Sequence, residues 1–190
     1  MKWSKQKQLL ESFLAPSLVG RVEYGSTSYR YSHHKPGRSY ITVDKKQVFQ
    51  MSDDGYAVKW YDTVMDIKRD EGYRDIPVTE EDISEVTKMG VPAEVAREVA
   101  RKRKVSAIAD KILKEQGVLS RSDFQEAANI YLSSSIESCL DSDSILLNIF
   151  ALMDRRVGKK RLRNISDTIK LKHPIVQYFY KLRLEAEENK

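Results

Sequence analysis

The sequence has little cysteine and lacks any long apolar run. Among its 190 residues only Cys139 is a cysteine, which excludes an intrachain disulfide and a cysteine-rich zinc site. The longest apolar stretch, residues 145–153, is far shorter than the roughly 18 apolar residues that cross a bilayer, so it predicts a buried helix and no membrane partner. The opening residues, 1–16, alternate charged and apolar side chains, unlike a secretory signal. We therefore expect a cytoplasmic protein.

The sequence signatures of common catalytic and cofactor sites are also missing. There is no glycine-rich phosphate loop, no nucleophile elbow and no Cys or His set with metal-ligand spacing. His33 and His34 are adjacent, and adjacent residues on a strand point to opposite faces. His173 precedes a proline where a helix is expected to begin, which favours a capping or packing role. We expect no cofactor, no metal and a non-catalytic function.

The beginning of the chain has the pattern of a small α+β unit. Apolar residues recur at helical spacing over residues 2–14, and Pro16 ends that pattern. Across residues 19–52 the apolar residues are mostly β-branched or aromatic, with turns predicted at 35–37 and 44–46. These features predict one helix and a three-stranded antiparallel meander, with the helix covering one face of the sheet.

After residue 55 the pattern is helical throughout. Helix starts are indicated at Thr79, at Ser120 or Ser122, and at Pro174. The predicted fold class is therefore α+β, with an N-terminal helix and a three-stranded antiparallel meander followed by a mostly helical C-terminal region. The predicted division is a head over residues 1–70 and a helical region over residues 79–190; in the alternative, the two form one continuous domain.

Positive charge is concentrated in the basic segment, residues 154–164, with the sequence DRRVGKKRLRN. From residue 151 to residue 190 there are 11 Lys or Arg against 5 Asp or Glu, whereas residues 1–150 hold 22 against 23. The formal net charge of +5 is therefore a local property of the C-terminal fifth. The candidate binding residues are Arg155, Arg156, Lys159, Lys160, Arg161 and Arg163.

The basic segment has three interpretations. It is a solvated charged turn, a surface for phosphates or nucleic acid, or a contact for an acidic protein. Gly158 is expected to break the helix, with Val157 and Leu162 packed inward and Asp154 paired with an arginine. No aromatic residue lies inside the segment to stack on bases. We expect another protein as the partner, with nucleic acid as the alternative.

Two further sets of residues, both rich in charge, are candidates for function. The basic run at residues 101–104 follows acids at helical spacing, which favours a solvated helix face. On the sheet, a polar face is expected from Glu23, Arg30, Arg38, Tyr40 and Asp44. Glu23 and Asp44 are candidate catalytic carboxylates for a metal-dependent nuclease. Cross-strand ion pairs account for the same residues, so this hypothesis ranks third.

Short motifs at both ends of the chain point to a family. At the C-terminal end they are DRRVGKKRL at 154–162, HPIV at 173–176 and FY at 179–180; at the N-terminal end they are MKWSK at 1–5, GRVEY at 20–24 and ITVD at 41–44. Together these motifs resemble a family of small uncharacterised bacterial proteins. The resemblance implies a bacterial origin and a discrete cytoplasmic protein. Because that family has no assigned activity, it brings no catalytic residue to this chain.

Overall fold

A computed structural model describes residues 2–29 and 36–188. Its strands are β1 (Val22–Ser28), β2 (Gly37–Val43) and β3 (Lys46–Ser52). Its helices are α1 (Trp3–Ser12), α2 (Asp53–Arg69), α3 (Glu80–Lys88), α4 (Ala93–Glu115), α5 (Arg121–Ser133), α6 (Ile136–Asp141), α7 (Ile145–Met153), α8 (Lys159–Asn164), α9 (Ser166–Lys170) and α10 (Pro174–Glu188), with 3₁₀ turns at Pro16–Leu18 and Glu71–Asp75. The predicted fold class is confirmed. Of the residues named from the sequence, Arg30, His33 and His34 lie outside the described ranges, as does Lys35, the first residue of the predicted turn at 35–37.

Contacts divide the chain into two compact units. The first unit is Met1–Tyr56 together with Gln116–Lys190, and the second is Ala57–Glu115. Contacts alone do not test which parts fold independently, so the division into residues 1–70 and 79–190 stays a prediction.

Within the described ranges, no helix is long and apolar enough to cross a membrane.

The three strands form the predicted antiparallel sheet in the order β1, β2, β3. Gly25 of β1 lies opposite Tyr40 of β2. The β2 to β3 connection is a two-residue turn in which Asp44 and Lys45 have φ of 49° and 67°. Positive φ at both central residues is the signature of the type I′ turn, whose twist matches that of the flanking strands.

The core of the first unit joins the sheet to the C-terminal helices. Tyr24 on β1 packs edge-on against Phe150 of α7, with ring centroids 5.5 Å apart. Phe150 in turn packs against Phe124 of α5 at 5.5 Å. All nine residues of α7 are buried, as the long apolar stretch predicts. The sheet is therefore covered by helices that are remote from it in the sequence.

Polar side chains fix the start of α5. Ser120 and Asp123 form a reciprocal capping box, in which each side chain accepts from the other residue's backbone N–H at 3.1 and 2.8 Å. The Asp53 carboxylate accepts from the backbone N–H groups of Gly37 at 2.8 Å and Arg121 at 2.9 Å. One carboxylate thus ties the first residue of β2 to the first residue of α5.

The second unit is a small helical assembly with two apolar clusters. Val64 packs with Val105 and Ala109, while a separate cluster contains Val86, Ala96 and Ala100. The Asp82 carboxylate caps α3 at Thr79 and lies 2.6 Å from Lys104 Nζ. Lys104 and the Thr79 hydrogen bonds lower the pKa of Asp82 to about 2. This ion pair links α3 to α4.

Gly117, between α4 and α5, combines a strained conformation with a close contact. Its φ is +73°, and a Cβ there would lie 2.9 Å from two ring atoms of His173. We expect Gly117→Ala to lower the free energy of unfolding by about 2–3 kcal/mol, because left-handed backbone costs a non-glycine residue roughly 1–2 kcal/mol before the clash is counted. Urea denaturation measures the change.

The matched control is Gly20→Ala in the same unit. Gly20 has φ +79°, but no atom of the described residues lies within 4 Å of an added Cβ. This variant carries the backbone strain alone, so its loss should be about 1–2 kcal/mol. Equal losses in the two variants would show that the His173 contact has no energetic weight.

Candidate basic interaction surface

The basic segment follows directly after the buried helix α7. Val157 and Leu162 are completely buried in the core of the first unit. Tyr180 of α10 donates a hydrogen bond from its hydroxyl to the Leu162 carbonyl at 2.9 Å. Gly158 occupies the N-cap position of α8, where the helix break was predicted. The segment is therefore held by two apolar side chains, one on each side of Gly158.

A buried arginine on α10 holds the turn between α7 and α8. Arg183 is 2% exposed. Its Nη1 donates to the carbonyls of Leu152, Met153 and Asp154 at 3.3, 3.2 and 3.0 Å, and its Nη2 donates to Val157 at 2.9 Å. The last carbonyls of a helix lack partners inside the helix, so this guanidinium satisfies the end of α7 and the turn after it. We call this arrangement the Arg183 network.

The charge of Arg183 is balanced on its own helix. Glu187 Oε1 lies 3.3 Å from Arg183 Nε. Burial lowers the pKa of Arg183, while Glu187 and Asp154 act in the opposite direction. Arg183 is not among the residues that the sequence predicts for this site. A signal was present, because Arg183 follows Val176 and Phe179 at the spacing of the buried stripe and has an acid four residues later.

Asp154 is a second buried charge in the same turn. Its carboxylate is 1% exposed and accepts from Arg156 Nε and Nη2 at 2.9 and 2.6 Å, from the Arg156 backbone N–H at 2.7 Å, and from the Tyr131 hydroxyl. Burial and the hydrogen bond to Asp154 raise the pKa of Tyr131, and the same carboxylate raises the pKa of Arg156. The Arg156 guanidinium also lies 4.4 Å from the ring centroid of Phe13. Asp154 thus pairs with an arginine, as the sequence predicts.

Two of the six candidate binding residues already have partners inside the protein. Arg156 is bound to Asp154, and Arg161 lies 2.6 Å from Glu137. The hydrogen bond from Arg161 lowers the pKa of the Glu137 carboxyl. The other four are Arg155, Lys159, Lys160 and Arg163, which are exposed. Within the described part of the chain, no hydrogen bond or ion pair engages these four side chains. They are the free cations of the basic segment.

Helix geometry places three of the free cations together. At 3.6 residues per turn, Lys159, Lys160 and Arg163 fall within about 100° of one another around α8. Arg161 and the buried Leu162 lie on the other side of the helix. We call these three residues the α8 basic face. Arg155 precedes it in the turn, where its backbone N–H donates to the Phe13 carbonyl at 2.8 Å.

The candidate carboxylates of the sheet are both ion-paired. Asp44 accepts from Arg21 at 2.9 and 3.0 Å, and this hydrogen bonding lowers the pKa of Asp44. Glu23 pairs with Lys45, which lowers the pKa of Glu23. Among the described residues, no three His, Cys, Asp or Glu side chains are grouped to hold a metal ion. Either carboxylate would have to give up its cation before it could bind a metal.

The remaining candidates have structural partners. In the second basic run, Arg101 lies 3.1 Å from Glu98 at the spacing of one helical turn. His173 Nδ1 accepts from the backbone N–H of Ile175 at 3.2 Å, which is a capping contact at the start of α10. Cys139 is buried, and burial raises the pKa of its thiol. These contacts leave the basic segment as the strongest candidate surface.

Comparison with known proteins identifies a family. The model of the SF0329 protein family matches residues 2–184, almost the whole chain. No curated protein and no solved structure matches the chain. The resemblance to a family without an assigned activity is confirmed.

The Asp154 carboxylate should be a major source of stability. We expect Asp154→Asn to lower the free energy of unfolding by about 2–4 kcal/mol, because it removes the charge that compensates Arg156 and an acceptor of the Tyr131 hydroxyl. The expected loss is smaller than is usual when a buried ion pair is broken, because the Arg156 side chain is 45% exposed and can be hydrated. Chemical denaturation of both proteins at neutral pH measures the difference.

Asp167→Asn is the matched control for this prediction. Asp167 pairs with Lys170 on α9, where both side chains are largely exposed. Exposed ion pairs contribute little to stability, so the denaturation midpoint should barely move. A comparable shift in the two variants would contradict the structural role given to Asp154.

Proposed function

The chain belongs to the SF0329 protein family, and we propose that it works by binding an acidic protein through the α8 basic face. In this proposal it is a non-catalytic bacterial protein of the cytoplasm. The observation that carries the proposal is the set of Lys159, Lys160 and Arg163, which share one side of a helix without an acid partner among the described residues. Like charges on neighbouring helical positions repel one another. A bound anionic surface would relieve that repulsion.

The surroundings of the face support a protein partner. The six residues of α8 extend over only about 9 Å and include no aromatic side chain. A small, rigidly held group of charges suits the steering and orientation of an acidic protein surface. The same face offers no stacking platform for bases. The single cysteine and the family resemblance support the cytoplasmic and bacterial parts of the proposal.

Nucleic acid is the second candidate for this face. The observation that favours it is Arg155, a fourth free cation in the turn before α8. Four cations that have no counter-ion among the described residues could bind several phosphates, and such binding needs no base contact. The two candidates differ in how they respond to nuclease and to salt.

Charge reversal of the α8 basic face tests the proposal. The triple variant Lys159→Glu, Lys160→Glu and Arg163→Glu should keep its fold, since all three side chains are exposed and none has an ion pair with another described residue. We expect the unchanged chain to recover a partner protein from a nuclease-treated bacterial lysate and the triple variant not to recover it. Mass spectrometry of the recovered proteins and circular dichroism of the variant are the measurements.

A second triple variant controls for net charge. Lys5→Glu, Lys46→Glu and Lys181→Glu change the charge by the same amount at exposed positions of the first unit. This control should retain the partner. Loss of the partner from both variants, or from neither, would contradict the proposed face. If recovery disappears after nuclease treatment and the chain binds duplex or RNA at about 50 mM salt, the partner of the α8 basic face is nucleic acid and not a protein.

A further inference from the structure

The sheet has one face buried in the core and one that is not. Along β2, Ser39, Ile41 and Val43 are buried, whereas Arg38 and the residues two and four positions later are partly or fully exposed. The open sheet face consists of Arg38, Tyr40 and Thr42 of β2, Glu23, Gly25 and Thr27 of β1, and Gln50 of β3. Antiparallel sheets often leave such a face in water, so exposure alone implies no function.

The ring of Tyr40 lies flat on the sheet. A Cβ at Gly25 would be 2.2 Å from the Tyr40 Cζ, 2.3 Å from Cε2 and 2.7 Å from Cε1. A point outside the ring but in its plane, at that distance from Cζ, would be much farther from at least one of the two Cε atoms. The position is therefore above the ring, which means that a face of the ring, and not its edge, covers the Cα of Gly25. Only glycine at this position allows the ring to lie so close to β1.

The opposite side of the Tyr40 ring is available for contact. Tyr40 is only half-buried although the sheet covers one ring face, so its exposed surface points away from the sheet. Within residues 2–29 and 36–188, no hydrogen bond and no aromatic neighbour engages this side chain. A flat ring supported from below and open above is the arrangement on which nucleic-acid-binding proteins stack bases.

The charges around the ring favour an anionic ligand. The acids of the three strands and the β2 to β3 turn are Glu23 and Asp44, and each is held by a cation. Arg38 is exposed, and no acid pairs with it in the described ranges. It lies two residues from Tyr40 on the same face, which is about 7 Å along a strand. A cationic peptide would find no free carboxylate on these strands, whereas a nucleotide presents both a flat base and a phosphate.

We propose that the open sheet face binds single-stranded nucleic acid, with a base stacked on Tyr40 and a phosphate bound by Arg38. This site is separate from the α8 basic face and does not depend on the function proposed for that face. It requires no hydrolysis, because Glu23 and Asp44 stay in their ion pairs. Binding of this kind tolerates different base sequences and weakens as salt concentration rises.

Fluorescence anisotropy with labelled oligouridylate and oligothymidylate tests the proposal at about 50 mM salt. Stacking of one base contributes enough that Tyr40→Leu should weaken binding by at least roughly fivefold, while Tyr40→Phe keeps the ring and should bind almost normally. Arg38→Gln should weaken binding and reduce the slope of log affinity against log salt by about one. Tyr178→Leu removes an exposed tyrosine from α10 and should have no effect.

The outcomes separate this site from the α8 basic face. Binding that survives the triple charge reversal on α8 but falls in Tyr40→Leu supports the sheet site. Absence of oligonucleotide binding by the unchanged protein, equal binding by Tyr40→Leu, or an equal loss in Tyr178→Leu would overturn it. Loss of binding only in the α8 variant would also overturn it and would place nucleic acid on α8. Circular dichroism confirms that each variant is folded.

Discussion

The arrangement of the first unit depends on the buried guanidinium of Arg183, which belongs to α10 and lies against the end of α7. Arg183 hydrogen-bonds carbonyls that are 26 to 31 residues away in the sequence, with Glu187 beside it. A buried cation is costly unless its hydrogen bonds are made, and the carbonyls at a helix end are equally costly unless they receive donors. The hydrogen bonds from the two Nη atoms therefore satisfy these carbonyls and offset part of the cost of burying the guanidinium. The path of the chain after α7 follows from these hydrogen bonds.

The same turn also joins the segment after α1 to the segment after α7. The Ala15 N–H donates to the Met153 carbonyl at 2.9 Å, and the Arg155 N–H donates to Phe13 at 2.8 Å. Arg156 covers the ring of Phe13 while it pairs with Asp154. The charges of the basic segment thus have two roles. Asp154 and Arg156 hold the turn in place. The cations of the α8 basic face have no ion pair with another described residue, and the helix that carries them is fixed by the core.

Local patterns predicted most of the fold, because caps, turns and helix breaks depend on residues close in sequence. The capping box at Ser120, the turn at Asp44 and the helix break at Gly158 are of this kind. The roles of Arg183 and Tyr40 were not predicted. The first depends on carbonyls brought together only by packing of α10 on α7, and the second on the strand register that sets Tyr40 opposite glycine. Such contacts have no signature at short range.

We expect the Arg183 network to make the basic segment a rigid part of the fold, although much of the segment is exposed to water. Backbone ¹⁵N relaxation of the unaltered protein tests this claim directly. Order parameters for residues 155–163 should be near 0.85, equal to those of α7 and α10. Values below about 0.6 across these residues would show a mobile charged loop and would contradict it.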